Sequence, residues 1–251
     1  MRVEESFIPV RGVGEQTERS LWEHGITHWD DFYPDAVGPT TAERIQAFIE
    51  DARRHLDDRN TEYFGRQFPS EAQWRLYESF QDGAAFFDIE TTGLDKRQDA
   101  VTTVSVRQGG ETKTFVRDRD LTAERLQETF TDANLLISFN GKRFDVPFLE
   151  HSFDLGGVLK RPHLDLMYPC RRLDLTGGLK QIEKDVGIER DRPDLSGKDA
   201  VRLWYEYQRG DETALDTLIS YNREDVDHLE TVANRVVTRL HERTVPDDCD
   251  L

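Results

Sequence analysis

The stretch Ala84-Ala85-Phe86-Phe87-Asp88-Ile89-Glu90-Thr91-Thr92-Gly93-Leu94 decides the reading of this chain. Four apolar residues lead into two acids, and a turn signal follows. A short apolar run bounded by turn residues predicts a buried strand. Residues two apart on a strand share a face, so Asp88 and Glu90 present paired carboxylates at a strand end. Such a pair repels when buried. A hard divalent cation with oxygen ligands, Mg²⁺ or Mn²⁺, is the expected remedy.

Two later stretches carry matching acids. Leu135-Leu136-Ile137-Ser138-Phe139 is a second apolar strand, followed by the turn signal Asn140-Gly141 and then Phe144-Asp145. Near the C-terminus, Tyr221-Asn222-Arg223-Glu224-Asp225 lies in a helical pattern, and the spacing puts Tyr221 and Asp225 on one helix face. Taken in order, Asp88-x-Glu90-Thr91-Thr92-Gly93-Leu94, Asn140-x-x-x-Phe144-Asp145 and Tyr221-x-x-x-Asp225 resemble the three motifs of the DnaQ-like 3′→5′ exonucleases of the ribonuclease H fold. The tyrosine is similar to that of their Asp-Glu-Asp-Asp-Tyr subgroup. Gly177-Gly178-Leu179-Lys180 and Asn222-Arg223-Glu224-Asp225-Val226 resemble the YprB-like exonucleases, and the resemblance runs from about Phe86 to Val236.

The resemblance implies that Asp88, Glu90, Asp145 and Asp225 converge on two divalent cations, Mg²⁺ or Mn²⁺, for in-line displacement at a phosphodiester. It implies that Tyr221 holds or deprotonates the attacking water. An ordinary tyrosine pKa near 10 favours holding it, and a purely packed helix tyrosine is the other reading. His228 is the alternative base. Thr91, Gly93 and Leu94 match positions that cradle the terminal nucleotide, while Asn140 and Phe144 are candidates to touch sugar or base. Asp165, near another strand end, reads as structural or supporting. The expected substrate is single-stranded DNA or RNA with a free 3′ end. An inactive nucleic-acid-binding scaffold and an endonuclease of the same fold are the competing readings.

Along the chain, residues 1–60 read as short helices. Val13-Gly14-x-x-Thr17 and Val37-Gly38-x-x-Thr41 repeat one pattern, and the second opens a helix from Ala42 to Leu56. The pair resembles half-sites of the helix-hairpin-helix class, in which a helix N-terminus holds phosphate; simple capping and packing explains it equally. Between them, Thr27 or Asp30 is the expected cap of a short turn. Residues 61–82 form an aromatic connector with Tyr63, Phe64, Phe68, Trp74, Tyr77 and Phe80. These read as core rather than as a base-stacking platform.

From 83 to 243 the expected order is strand, hairpin, helix, strand, helix, strand, then helices. Gln108-Gly109-Gly110 marks the hairpin turn between Val101–Arg107 and Thr112–Val116. This predicts an α/β fold, a ribonuclease H-like mixed sheet flanked by helices, with a small helical N-terminal element. Residues 244–251 read as an acidic tail.

Composition bounds the rest. Fifty acidic against 33 basic residues give a net charge of −17. Lysine is scarce, and the Asp-rich composition resembles that of proteins from salt-loving archaea; an acidic mesophilic protein is the alternative. At roughly 1 M salt the Debye length is about 3 Å, so the acidity leaves a nucleic-acid substrate open. No apolar stretch reaches the roughly 18 residues of a membrane span, and Met1-Arg2-Val3-Glu4-Glu5-Ser6 lacks a signal-peptide core, so a cytoplasmic location is expected. Two cysteines, Cys170 and Cys249, are too few for a zinc site or a disulfide framework.

Overall fold

The computed structural model describes residues 1–246. The expected acidic tail beyond 246 lies outside the described residues. The chain divides into two compact units, one built from residues 1–81 together with the chain from Arg235, the other from residues 82–234.

Residues 1–81 of the first unit form α1 (Glu15–Glu23), α2 (Pro39–Asp57), α3 (Thr61–Gln67) and α4 (Leu76–Phe80), joined by 3-10 turns. Gly14 and Gly38 are the N-caps of α1 and α2, in extended backbone conformation. The repeated pattern therefore marks two helix starts, and Leu21 and Ile45, the apolar residues it aligns, are both buried. The short turn Trp29–Asp31 is capped by His28, whose ring accepts from the Asp30 N–H, while Asp31 accepts from the His28 N–H. Thr27 instead donates its hydroxyl to Asp31, so neither expected cap serves. Tyr63, Phe64, Phe68, Trp74, Tyr77 and Phe80 are all buried, which makes the aromatic stretch part of this unit's core. A buried ion pair, Arg75 with Glu18 at 2.7 Å, sits among them, and Glu18 also accepts the Ser6 hydroxyl and the Phe7 N–H. These donors give the buried Glu18 carboxylate the partners that a buried charge requires.

The second unit is organised on a five-stranded mixed sheet of β1 (Ala84–Thr91), β2 (Val101–Gln108), β3 (Glu111–Val116), β4 (Leu135–Ser138) and β5 (His163–Asp165), in the order β3-β2-β1-β4-β5. β1 runs antiparallel to β2 and β2 to β3, while β4 is parallel to β1 and β5 to β4. Gly109 and Gly110 turn the β2–β3 hairpin, both with positive φ, the conformation that a two-residue hairpin loop demands. The helices are α5 (Ala123–Thr131), α6 (Asp145–Ser152), α7 (Met167–Arg172), α8 (Leu179–Asp185), α9 (Gly197–Gln208) and α10 (Glu212–Thr244), whose last turns belong to the first unit. α7 had no counterpart among the expected elements.

Alternation on β1 sets the site. Ala85, Phe87 and Ile89 enter one core cluster with Leu126 and Phe130 of α5 and Phe148 and Leu149 of α6. Phe86, Asp88 and Glu90 point to the opposite face. The mixed sheet flanked by helices is the ribonuclease H-like α/β architecture that the element order predicted.

Candidate active site

Three carboxylates meet on that opposite face. Asp88, Glu90 and Asp225 each offer an oxygen, and these oxygens lie within 4.8 Å of one another. Asp88 and Glu90 come from β1, and a register shift between Glu90 and Thr91 ends the regular pairing immediately after them. Asp225 comes from α10, where Leu218, Tyr221, Asn222, Asp225, Val226 and Leu229 are buried at helical spacing.

The fourth acid, Asp145, stands beside this trio rather than in it. It opens α6, is buried, and its carboxylate accepts the Ile89 N–H of β1 at 3.2 Å. The loop delivering it is tight. Asn140 has φ 64°, a left-handed conformation that asparagine tolerates, and a Cβ on Gly141 would fall 2.2 Å from Ser138 Oγ. Asp165 secures the loop: its carboxylate accepts the N–H groups of Asn140 at 2.7 Å, Lys142 at 3.1 Å and Met167 at 3.1 Å. Its supporting role is therefore a hydrogen-bonding one.

The electrostatics are those of crowded acids without a counter-ion. Burial, and then the charges of Asp145, Asp225 and Glu90, push the Asp88 carboxyl well above the usual range. Burial and the charges of Asp225 and Asp145 do the same to Glu90. Burial raises Asp145 to about 7, although its backbone hydrogen bonds oppose the shift. Burial raises Asp225 to about 6, against the pull of Arg190. Acceptor-only oxygens held close at an energetic cost suit a hard cation, which would replace the proton each acid otherwise keeps. The donor set thus fits a divalent cation, with Asp88, Glu90 and Asp225 as the group placed to hold it.

Tyr221 is buried one turn before Asp225, with its ring beneath Lys180 Nζ at 5.3 Å and the Arg190 guanidinium at 5.8 Å. Burial and the neighbouring charges of Asp225, Glu90 and Asp88 raise its hydroxyl pKa far above the ordinary value. The hydroxyl therefore keeps its proton. His228 is committed elsewhere: its Nδ1 lies 3.0 Å from Glu183 Oε1, and that bond raises its pKa.

The proposed substrate positions divide. Thr91 donates its hydroxyl to the Gly93 carbonyl at 2.5 Å, shaping the turn, and a Cβ on Gly93 would strike the Asp99 carboxylate at 2.4 Å. Leu94, at the tip, is 86% exposed. Phe144 does not face outward as a base-touching ring: it is partly buried, 4.8 Å from Phe148, and packed on the core cluster. Asn140 serves its loop through its backbone.

Three residues to which the sequence motifs assign no role shape the site. Asn222 donates to Asp88 Oδ2 at 2.8 Å and accepts from the Thr103 hydroxyl at 3.0 Å, linking α10, β1 and β2. Its spacing of three from Asp225 on the same helix was the available signal. Arg190, almost wholly buried, donates to both Asp225 and Glu183 and lies 3.7 Å from Glu224. Burial opposes the charge on Glu183, but the hydrogen bonds from His228 and Arg190 win and hold its carboxyl below the usual range. Nothing in local spacing announced Arg190, because it reaches Asp225 from 35 residues away.

Residues 85–237 match the family model described as RNase_H superfamily. No curated protein matches the chain. Among solved structures, one described as the apo form of the nuclease is 25% identical with a TM-score of 0.48, covering 64% of this chain and 74% of that one. The family B DNA polymerase of Pyrobaculum calidifontis is 21% identical with a TM-score of 0.46, over 64% of this chain and only 24% of the polymerase. Brucella melitensis NrnC is 20% identical with a TM-score of 0.46, over 66% of this chain and 78% of NrnC.

Proposed function

The chain belongs to the RNase_H superfamily, and from that premise we propose that it is a divalent-cation-dependent 3′→5′ exonuclease acting on single-stranded DNA or RNA. The observation that carries the reading is the meeting of Asp88, Glu90 and Asp225 within 4.8 Å on one face of the sheet, with Tyr221 one helical turn from Asp225. Two bound Mg²⁺ or Mn²⁺ ions would supply charge stabilisation at the phosphoryl oxygens and an activated water.

The chain's own residues have separable tasks in this reading. Asp88, Glu90 and Asp225 hold the cations, and Asp145, anchored to the Ile89 N–H, adds a carboxylate beside them. Asn222 fixes the Asp88 carboxylate. Arg190 and Glu183 fix Asp225. Tyr221, kept protonated, orients the water. The turn at Thr91, Gly93 and Leu94 receives the terminal nucleotide. The N-terminal unit, with helices opening at Gly14 and Gly38, grips the nucleic-acid backbone.

A digest of 5′-labelled DNA and RNA oligonucleotides, run in high salt with Mg²⁺, Mn²⁺ or EDTA, tests the reading. A ladder shortening from the 3′ end, abolished by EDTA, is the expected result. Internal cuts would make the protein an endonuclease. Intact oligonucleotide under every condition would make it a scaffold.

A further inference from the structure

The sheet places three exposed loops along one edge. β1, β4 and β5 are parallel neighbours, so the turn after β1, the loop after β4 and the start of α7 after β5 all leave the sheet at its same end. In open α/β sheets, ligands bind in the crevice at that end. With strands about 4.8 Å apart, the far side of this edge lies roughly 10 Å from the β1 acids. Asp165 ties the two outer loops together, since it accepts N–H bonds from Asn140, Lys142 and Met167.

The two outer loops carry basic residues. Asn140–Phe144 and Leu166–Leu173 contain no acid, in a protein with 50 acidic residues. Arg143 and Arg171 are exposed, and among the described residues neither side chain is held in an ion pair. Arg107, Arg119, Arg125 and Arg202, by contrast, are each neutralised by a carboxylate. Tyr168, three residues before Arg171 on α7, is 44% exposed, a large ring left in water. Phe144, a candidate to touch sugar or base, is turned into the core.

We propose that Arg143, Tyr168 and Arg171 form a track for single-stranded nucleic acid, running from the acid cluster across the ends of β4 and β5. Tyr168 stacks on a base upstream of the reacting end, and the two arginines contact the flanking phosphates. A ring face accepts any base, and guanidinium groups match phosphate geometry, so the track reads no sequence. The inference rests on the nuclease reading of the acid cluster and deepens it by giving the path of the strand.

The test is the affinity of fluorescein-labelled DNA and RNA homo-oligonucleotides of about two, four and eight nucleotides, measured by anisotropy in EDTA across a salt series. In the parent protein, affinity rises with length. In Tyr168→Ala the eight-nucleotide ligand is expected to bind about tenfold more weakly, with Tyr168→Phe restoring it. In the double variant Arg143→Glu/Arg171→Glu, the slope of log affinity against log salt should flatten by about 1.4, close to 0.7 for each phosphate that no longer meets a guanidinium. Circular dichroism of these exposed-residue variants verifies folding. The DNA and RNA arms show which backbone the track prefers. Parent-like affinity and salt slope in all the variants would overturn the track while parent cleavage leaves the nuclease reading standing. A parent protein that neither binds nor cleaves any oligonucleotide would overturn both.

Discussion

Replacing Asp88 by Asn should make the metal-free protein more stable while removing its response to divalent cations. Asp88, Glu90 and Asp225 offer oxygens within 4.8 Å of one another, and Arg190 already offsets Asp225. The repulsion on Asp88 comes first from Asp145, then from Asp225 and Glu90, on top of the cost of burial. At an effective dielectric of about 20, two unit charges at such a separation repel by about 3 kcal/mol. The carboxyl pKa of Asp88 is raised, so between its ordinary and raised values the native state binds more protons than the unfolded state. Stability of the parent accordingly falls as pH rises through that window. The amide keeps the size of the side chain and sheds the charge. In EDTA at pH 8, urea denaturation should show Asp88→Asn about 2–3 kcal/mol more stable than the parent, shrinking toward zero near pH 4, where the parent's acids hold their protons. At about 2–4 °C per kcal/mol for a chain of this size, the melting temperature should rise by roughly 4–12 °C. Added Mn²⁺ should raise the parent's melting temperature by linkage and leave the variant unmoved. A variant less stable than the parent in EDTA at pH 8, or a gain that does not vary with pH, would refute the electrostatic account of the cluster.

Mn²⁺ affinity, followed by calorimetry, should weaken as pH falls through 7 and then 6, because Asp145 titrates at about 7 and Asp225 at about 6 and protons compete for their oxygens. Tyr221→Phe should bind Mn²⁺ and substrate like the parent and lose about 10²–10⁴-fold in single-turnover rate; Asp225→Ala should lose cation affinity as well. Parent-rate cleavage by Tyr221→Phe would reduce the tyrosine to packing. Arg190→Gln leaves Glu183 and Asp225 without their shared cation, and breaking a buried pair costs about 3–5 kcal/mol, visible in urea denaturation. Unchanged stability would mean that Arg190 does not hold Asp225.

Much of the site was legible because local periodicity carries it. Two acids two apart on an apolar strand must share a face, and Tyr221 and Asp225 must share a helix side, whatever the rest of the chain does. Gly109-Gly110 had to turn a hairpin because few other residues accept positive φ, and Asn140-Gly141 had to turn the loop before Asp145 because asparagine tolerates the left-handed backbone and glycine leaves room beside Ser138. Tertiary structure decided what no spacing encodes. Asn222 found Asp88 across 134 residues, and Arg190 found Asp225 across 35. Phe144 went inward because Phe148 and the core cluster offered it apolar surface. His28 displaced two better capping residues because its ring met the Asp30 N–H. A sequence fixes which groups are neighbours along a strand or helix turn. Which distant group satisfies a buried carboxylate, and which aromatic stays in water, depends on how strands and helices stack, and on the cost of leaving a buried charge without a partner.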